Sequence, residues 1–220
     1  MFALAALNEW HISGLNVKTA FLYGKLDEEI YMEQPEGFKL PGQERKVPHL
    51  RCAIYGLKQA SIAWWRELAN SLKSMGFKCL YSDAGIYICR HDNGTFAIVV
   101  AYVDDILFVR PNKSFIQSKK KLFMDKWECC DLGDCQEFLQ MHVTCKGKSI
   151  LIDQCSYLQK VVEHFGMTNA KYVQTPLPAG FIPMPNQGEV NPQLRSEYQQ
   201  VIGSLLYIML RTRPDIAIED

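Results

Sequence analysis

An α+β fold follows from three observations in this 220-residue sequence. Apolar residues recur every three to four positions from Ala60 to Met75, the spacing of a helix with one buried face. Two apolar stretches, Gly85 to Cys89 and Thr95 to Val103, flank Asp92-Asn93-Gly94, a strong hairpin turn. A further hairpin is predicted where Phe138 to Cys145 and Ser149 to Ile152 bracket Lys146-Gly147-Lys148.

In chain order, Leu15 to Leu22 is predicted as a strand closing in a turn near Gly24. Asp27 to Met32 is charged, then apolar. Gln34 to Phe38 and Pro41-Gly42 punctuate a surface loop. In the helix from Ala60, Trp64, Leu68, Leu72 and Met75 face the core, and Gly76 supplies the stop. Thr95 to Val103 is too apolar to have a solvated face and belongs inside a sheet. Asp104-Asp105 interrupts it, and Ile106 to Val109 resumes strand character. Asn112 can cap a helix reaching Trp127, with Ile116, Phe123 and Trp127 inward and Lys119-Lys120-Lys121 largely outside. Tyr157 to Phe165 is a helix closed by Gly166. Thr175 to Pro192 carries five prolines and reads as a linker or extended strap. Leu194 to Leu210 is the final helix.

Composition excludes several classes. With 48% hydrophobic and 11% aromatic residues, the chain is not intrinsically disordered. Its longest unbroken apolar run, Phe96 to Val103, is far short of the ~20 residues that span a bilayer, so no membrane class is predicted. The 24 basic and 24 acidic residues balance, which argues against a general nucleic-acid-coating protein but leaves room for local patches. The eight cysteines include no C-x₂₋₄-C pair followed by a second tight pair. They read as reduced thiols of a cytosolic or nuclear protein rather than as a zinc site.

Tyr102-Val103-Asp104-Asp105 is the sharpest chemical feature. Burying two adjacent carboxylates costs several kcal/mol unless something compensates, and a divalent cation is a natural compensator. Aspartates in a strand-end hairpin can hold Mg²⁺ against nucleotide phosphates. A plain solvated Asp-Asp turn is the alternative.

Three further blocks accompany this pair in order: Leu15 to Gly24, Tyr55-Gly56-Leu57-Lys58-Gln59-Ala60 with Ala63-Trp64-Trp65, and Tyr198 to Asp215. Together with Glu28 to Phe38 they resemble the reverse transcriptase of copia-type retrotransposons, over essentially the whole chain. The resemblance implies a right-hand polymerase palm, an antiparallel sheet with helices on one face, with a partial thumb and the fingers largely missing. Residues 1–167 would be palm and start of thumb, 168–193 a proline-rich linker, and 194–220 the start of a connection toward an RNase H domain. Template-directed DNA synthesis by two-metal phosphoryl transfer is the implied activity. Mg²⁺ or Mn²⁺ would be the cofactor, and an RNA or DNA template-primer with deoxynucleotides the partners. Integrase and RNase H regions would belong to the same polyprotein.

On this resemblance Asp104 is the shared metal ligand and Asp105 supports it. Asn16 stands where a third carboxylate is expected; its carbonyl can touch a cation but brings no charge. Asp27, Glu28 and Glu29 lie outside that strand and match a different block. Phe21 would sit under the incoming sugar, although ordinary core packing explains such a ring as well. Gln59 and Tyr102 would join Phe21 at the nucleotide. The stretch from Asp131 to Leu139 resembles the palm-to-thumb passage, with Gln140 where the family usually has glycine. Lys58, Arg66, Lys73 and Lys78 could meet template phosphates, whereas Lys113 and Lys119 to Lys121 read as a solvated helix face. Trp64 and Trp65 could stack on bases, though the spacing makes Trp64 core. Two readings follow: a reverse transcriptase region inactivated at Asn16 and by its missing fingers, or a non-catalytic remnant that binds nucleic acid or protein.

Overall fold

A computed structural model describes residues 1–39, 41–90, 96–173, 180–182, 184, 188 and 191–217. The fold is mixed α and β. The chain divides into two compact units: Met1–Phe138 with Thr144–Ile150, and Leu139–Val143 with Leu151–Asp220.

In the first unit, helix α1 (Phe2–Asn8) leads into β1 (His11–Val17) and a 3₁₀ turn at Ala20–Tyr23. The strand expected from Leu15 to Leu22 therefore begins earlier and ends at Val17, where Thr19 adopts φ 51 and turns the chain. A two-stranded ribbon, β2 (Lys25–Tyr31) and β3 (His49–Cys52), precedes α2 (Ala60–Ser74). Then come β4 (Lys78–Cys79), β5 (Ile86–Arg90), β6 (Phe96–Tyr102), β7 (Asp105–Arg110), α3 (Lys113–Met124) and β8 (Cys129–Asp134). Six strands form one sheet in the order β4-β5-β6-β7-β1-β8, every pair antiparallel. Asp92-Asn93-Gly94 lies outside the described residues, as does most of Thr175 to Pro192.

Period-two alternation sends Leu15 and Val17 of β1, Val99 of β6, and Ile106 and Phe108 of β7 to one face. The apolar stripes of α2 (Trp64, Leu68, Leu72) and α3 (Ile116, Phe123) cover that same face. Each large side chain fully buried there contributes roughly 1.5–3 kcal/mol. Helix α2 ends as its glycine demands: Gly76 takes φ 89, and Phe77 and Gly76 donate to the carbonyls of Leu72 and Lys73, both at 3.0 Å. The Asn112 side chain caps α3 by accepting from the Phe115 amide. Gly24 is required for a different reason. A Cβ there would lie 2.8 Å from the backbone nitrogen of Trp64 and 2.9 Å from Ala63 Cβ, so only glycine lets this loop press against α2.

Lys120 corrects the expectation that Lys119 to Lys121 face solvent. Its side chain is 1% exposed, and the ammonium donates to Ser13 Oγ (2.8 Å), the Gly14 carbonyl (3.0 Å) and Asp131. Positions 116, 120, 123 and 127 follow i, i+4, i+7 and i+11, so the helical period carries Lys120 inward whatever its charge. Burial pushes the Asp131 carboxyl up, but its bonds to Lys120 and to the Gly133 amide outweigh this and hold it below the usual value of 3.8.

After β9 (Glu137–Phe138), a hairpin of β10 (Met141–Lys146) and β11 (Ser149–Asp153) turns at Gly147, φ 55. Leu139 (φ 50) and Gln140 (φ 60) are both left-handed, a conformation that glycine adopts without the penalty a Cβ brings. In the second unit α4 (Cys155–His164) and α5 (Pro192–Arg211) meet through an edge-on contact of Tyr157 with Tyr207. Tyr207 also donates to the Leu139 carbonyl at 2.6 Å, and Thr212 to Gln154 Oε1 at 2.6 Å. Among the described residues no helix is long and apolar enough to cross a membrane. The eight cysteines are thiols, not disulfides, and burial pushes those of Cys129 and Cys135 up to about 11.

Two substitutions test the packing of the first unit, with denaturant unfolding read by tryptophan fluorescence. Gly24→Ala should cost about 1–3 kcal/mol by overpacking against α2. Lys120→Met should cost about 3 kcal/mol by stripping three acceptors of their donor. Because the folded-state value of Asp131 is depressed, its contribution is complete above the unfolded carboxylate value and is lost as pH falls through the lowered one. The advantage of the parent over Asp131→Asn should vanish across that acid window.

Candidate active site

The turn between β6 and β7 is two residues long, Val103-Asp104, closed by the pair Tyr102 and Asp105. Val103 sits at φ 55, an outlier for a β-branched residue that costs of order 1–3 kcal/mol unless its surroundings impose it. Here they do. The buried indole N–H of Trp64 donates to the Val103 carbonyl at 2.6 Å, and the Val17 amide donates to the Asp104 carbonyl at 2.8 Å. Trp64 is itself wedged edge-on against Trp127, whose own N–H donates to Ser71 Oγ at 3.1 Å. The turn is thus held from α2 on one side and β1 on the other.

Register completes the site. Asn16 is the cross-strand partner of Asp105, and Asp105 that of Tyr102, so the three side chains share the sheet face opposite α2 and α3. Asn16 Nδ2 lies 3.0 Å from Asp104 Oδ2 and 3.0 Å from Asp105 Oδ1, donating one hydrogen to each carboxylate. Both acceptors are carboxylate oxygens, so the amide must present its nitrogen. Burial pushes the Asp105 carboxyl above its ordinary value. The Asn16 bond pulls it back, and the charges of Asp104 and Glu137 push it up further. Among the described residues no group of three His, Cys, Asp or Glu gathers here or elsewhere as a ready-made metal cage.

The other candidate residues distribute around α2. Phe21 packs edge-on against Tyr55 at 4.9 Å and, with Trp64, Trp65, Leu68 and Val103, lines a cavity of about 240 Å³ beside the turn. Gln59 precedes α2, and its amide donates to Glu28 on β2 at 3.0 Å, both residues lining a small cavity of about 110 Å³. Tyr102 is exposed at 54%. Of the basic residues near α2, Arg66 is paired with Asp27.

Three participants lie beyond sequence reasoning. Trp64 is core, as its spacing predicts, but its bond to a backbone carbonyl 39 residues away leaves no trace in that spacing. The left-handed Val103 has no local signal, since valine disfavours that conformation. Glu137, whose charge reaches Asp105, comes from a two-residue strand too short to show a pattern.

The family model described as "Reverse transcriptase (RNA-dependent DNA polymerase)" matches residues 1–179. The retrovirus-related Pol polyprotein from transposon TNT 1-94 of Nicotiana tabacum is 38% identical over 99% of this chain. Those from transposons RE1 and RE2 of Arabidopsis thaliana are 30% and 31% identical, again over 99%. The chain spans 17% of the first of these relatives and 15% of each of the others. By the family match and these relatives, the chain belongs to the reverse transcriptase family of copia-type retrotransposon Pol polyproteins.

Proposed function

We propose that this chain is a reverse transcriptase palm with the beginning of a thumb, and that its catalytic centre as it stands does not synthesise DNA. The observation that carries this reading is the Asn16 amide seated between the two carboxylates of the β6–β7 turn. The antiparallel sheet with α2 and α3 on one face and the acidic turn on the other supports the palm assignment.

In the family's chemistry, Asp104 and Asp105 would hold Mg²⁺ or Mn²⁺ for phosphoryl transfer from a deoxynucleotide to a primer end. The donor set of this chain does not fit that role. Mg²⁺ dehydrates reluctantly and demands well-placed, charged oxygen donors. Asn16 supplies no charge, and in its observed orientation it points N–H groups at the place where oxygen donors are needed.

What remains is the positioning apparatus. Trp64 and Val17 fix the turn, and Phe21 lines the cavity beside it, where an aromatic ring under a sugar would exclude a 2′-hydroxyl. Gln59 would have to leave Glu28 before it could reach a nucleotide. The basic residues close to α2 are partly neutralised: Arg66 by Asp27 and Lys25 by Glu67. A role in holding template-primer thus rests on residues with no acidic partner among the described ones, such as Lys58.

Primer extension on a primed RNA template separates the alternatives. The parent chain should give background incorporation with Mg²⁺ or Mn²⁺, and robust extension would refute the proposed inactivity. Fluorescence anisotropy of the same template-primer should report binding that is indifferent to EDTA and weakens as salt rises, the behaviour of phosphate contacts without a bridging ion. Absence of binding at low salt would favour a remnant that engages protein instead.

A further inference from the structure

Asp104 and Asp105 are adjacent, half-buried and held in place through the backbone of their own turn, so they cannot separate to relieve mutual repulsion. Such a pair needs either a cation or hydrogen-bond donors. Asparagine is the uncharged side chain of the right length to serve both acids at once from position 16. Its two amide hydrogens diverge, and each meets one carboxylate at 3.0 Å.

We propose that the Asn16 amide is an internal brace that stands in for a cation, making the β6–β7 turn independent of divalent ions and barring an ion from the space between the two acids. Entry of an ion would require the amide to rotate, present Oδ1 and give up both charge-assisted bonds. The brace rests on reading Asp104 and Asp105 as an ion-binding pair by descent. It goes further in that replacing Asn16 by an acid does not simply add affinity. It removes two donors, puts three carboxylates together, and converts an ion-indifferent fold into an ion-dependent one.

The test is thermal unfolding of the whole chain, read by tryptophan fluorescence, in EDTA and in rising Mn²⁺. The midpoint of the parent should be the same in both. Asn16→Ala and Asn16→Asp should each melt about 5 °C or more lower in EDTA, since bonds to charged acceptors are lost. Mn²⁺ should return about 5 °C to Asn16→Asp once it exceeds its Kd some hundredfold. It should return nothing to the double variant Asn16→Asp with Asp104→Asn. Should Asn16→Asp be unfolded in EDTA, refolding it from denaturant with and without Mn²⁺ gives the same comparison, while Asn16→Ala carries the EDTA arm. A parent chain that Mn²⁺ stabilises, or variants that melt with the parent in EDTA, would overturn the brace. Lowered midpoints in EDTA with no Mn²⁺ response in any chain would leave the brace standing and refute the descent of Asp104 and Asp105 from an ion-binding pair.

Discussion

The pairing of β1 with β7 is the constraint on which the rest of this molecule turns. Its register puts Asn16 opposite Asp105 and Leu15 opposite Ile106, one pair on the face that carries the acids and one in the core beneath α2 and α3. A slip of one residue would exchange those faces and bring the polar pair beneath the helices. The apolar packing beneath α2 and α3 therefore specifies the geometry of the acidic turn above it. The same strand carries Ser13 and Gly14 to the buried Lys120, so the other end of β1 is pinned by a polar network rather than by apolar contact alone.

Strain and support are matched around the turn. Val103 is held in a conformation it would not choose, and the groups holding it come from two separate elements, Trp64 of α2 and Val17 of β1. Gly24 matters to the same arrangement, because a side chain there would push on the backbone of Trp64 itself. The groups that fix the acidic turn are thus themselves part of the packing beneath it, and they serve the fold whatever the turn binds.

Much of this is legible in the sequence, for identifiable reasons. Strong periodicity marks α2, a continuous apolar run marks β6, and the acid pair stands out because charge interrupts that run. Helix α1 leaves no such mark, since a short stretch of alanine and leucine has no polar face to define its period. Strand β8 is equally silent: Cys129 to Asp134 is polar and glycine-bearing, and owes its extended form to β1 alongside it. Lys120 is misplaced when charge is given priority over helical phase. The link between Asn16 and the two aspartates can be anticipated only from resemblance to the family. The identity of its atoms, an amide nitrogen shared by two carboxylates, requires the folded chain. Gln140 shows the converse: the departure from glycine is visible in the sequence, and the left-handed φ of 60 explains why glycine suits that position.

The β1–β7 pairing also sets an order in time. Asn16 and Asp104 are 88 residues apart in the chain, and no shorter route closes the sheet between them. On a ribosome adding about 5–20 residues per second, β1 emerges roughly 4–18 s before the strand it must pair with. During that interval Ile12, Leu15 and Val17 form an apolar strand with neither edge satisfied, the kind of segment that recruits other chains. The local β6–β7 hairpin can form within microseconds of its synthesis, so it is β1 that waits for the hairpin. The acidic turn is therefore among the last features of the sheet to acquire its final surroundings. Until β1 docks, its two carboxylates face water instead of an amide.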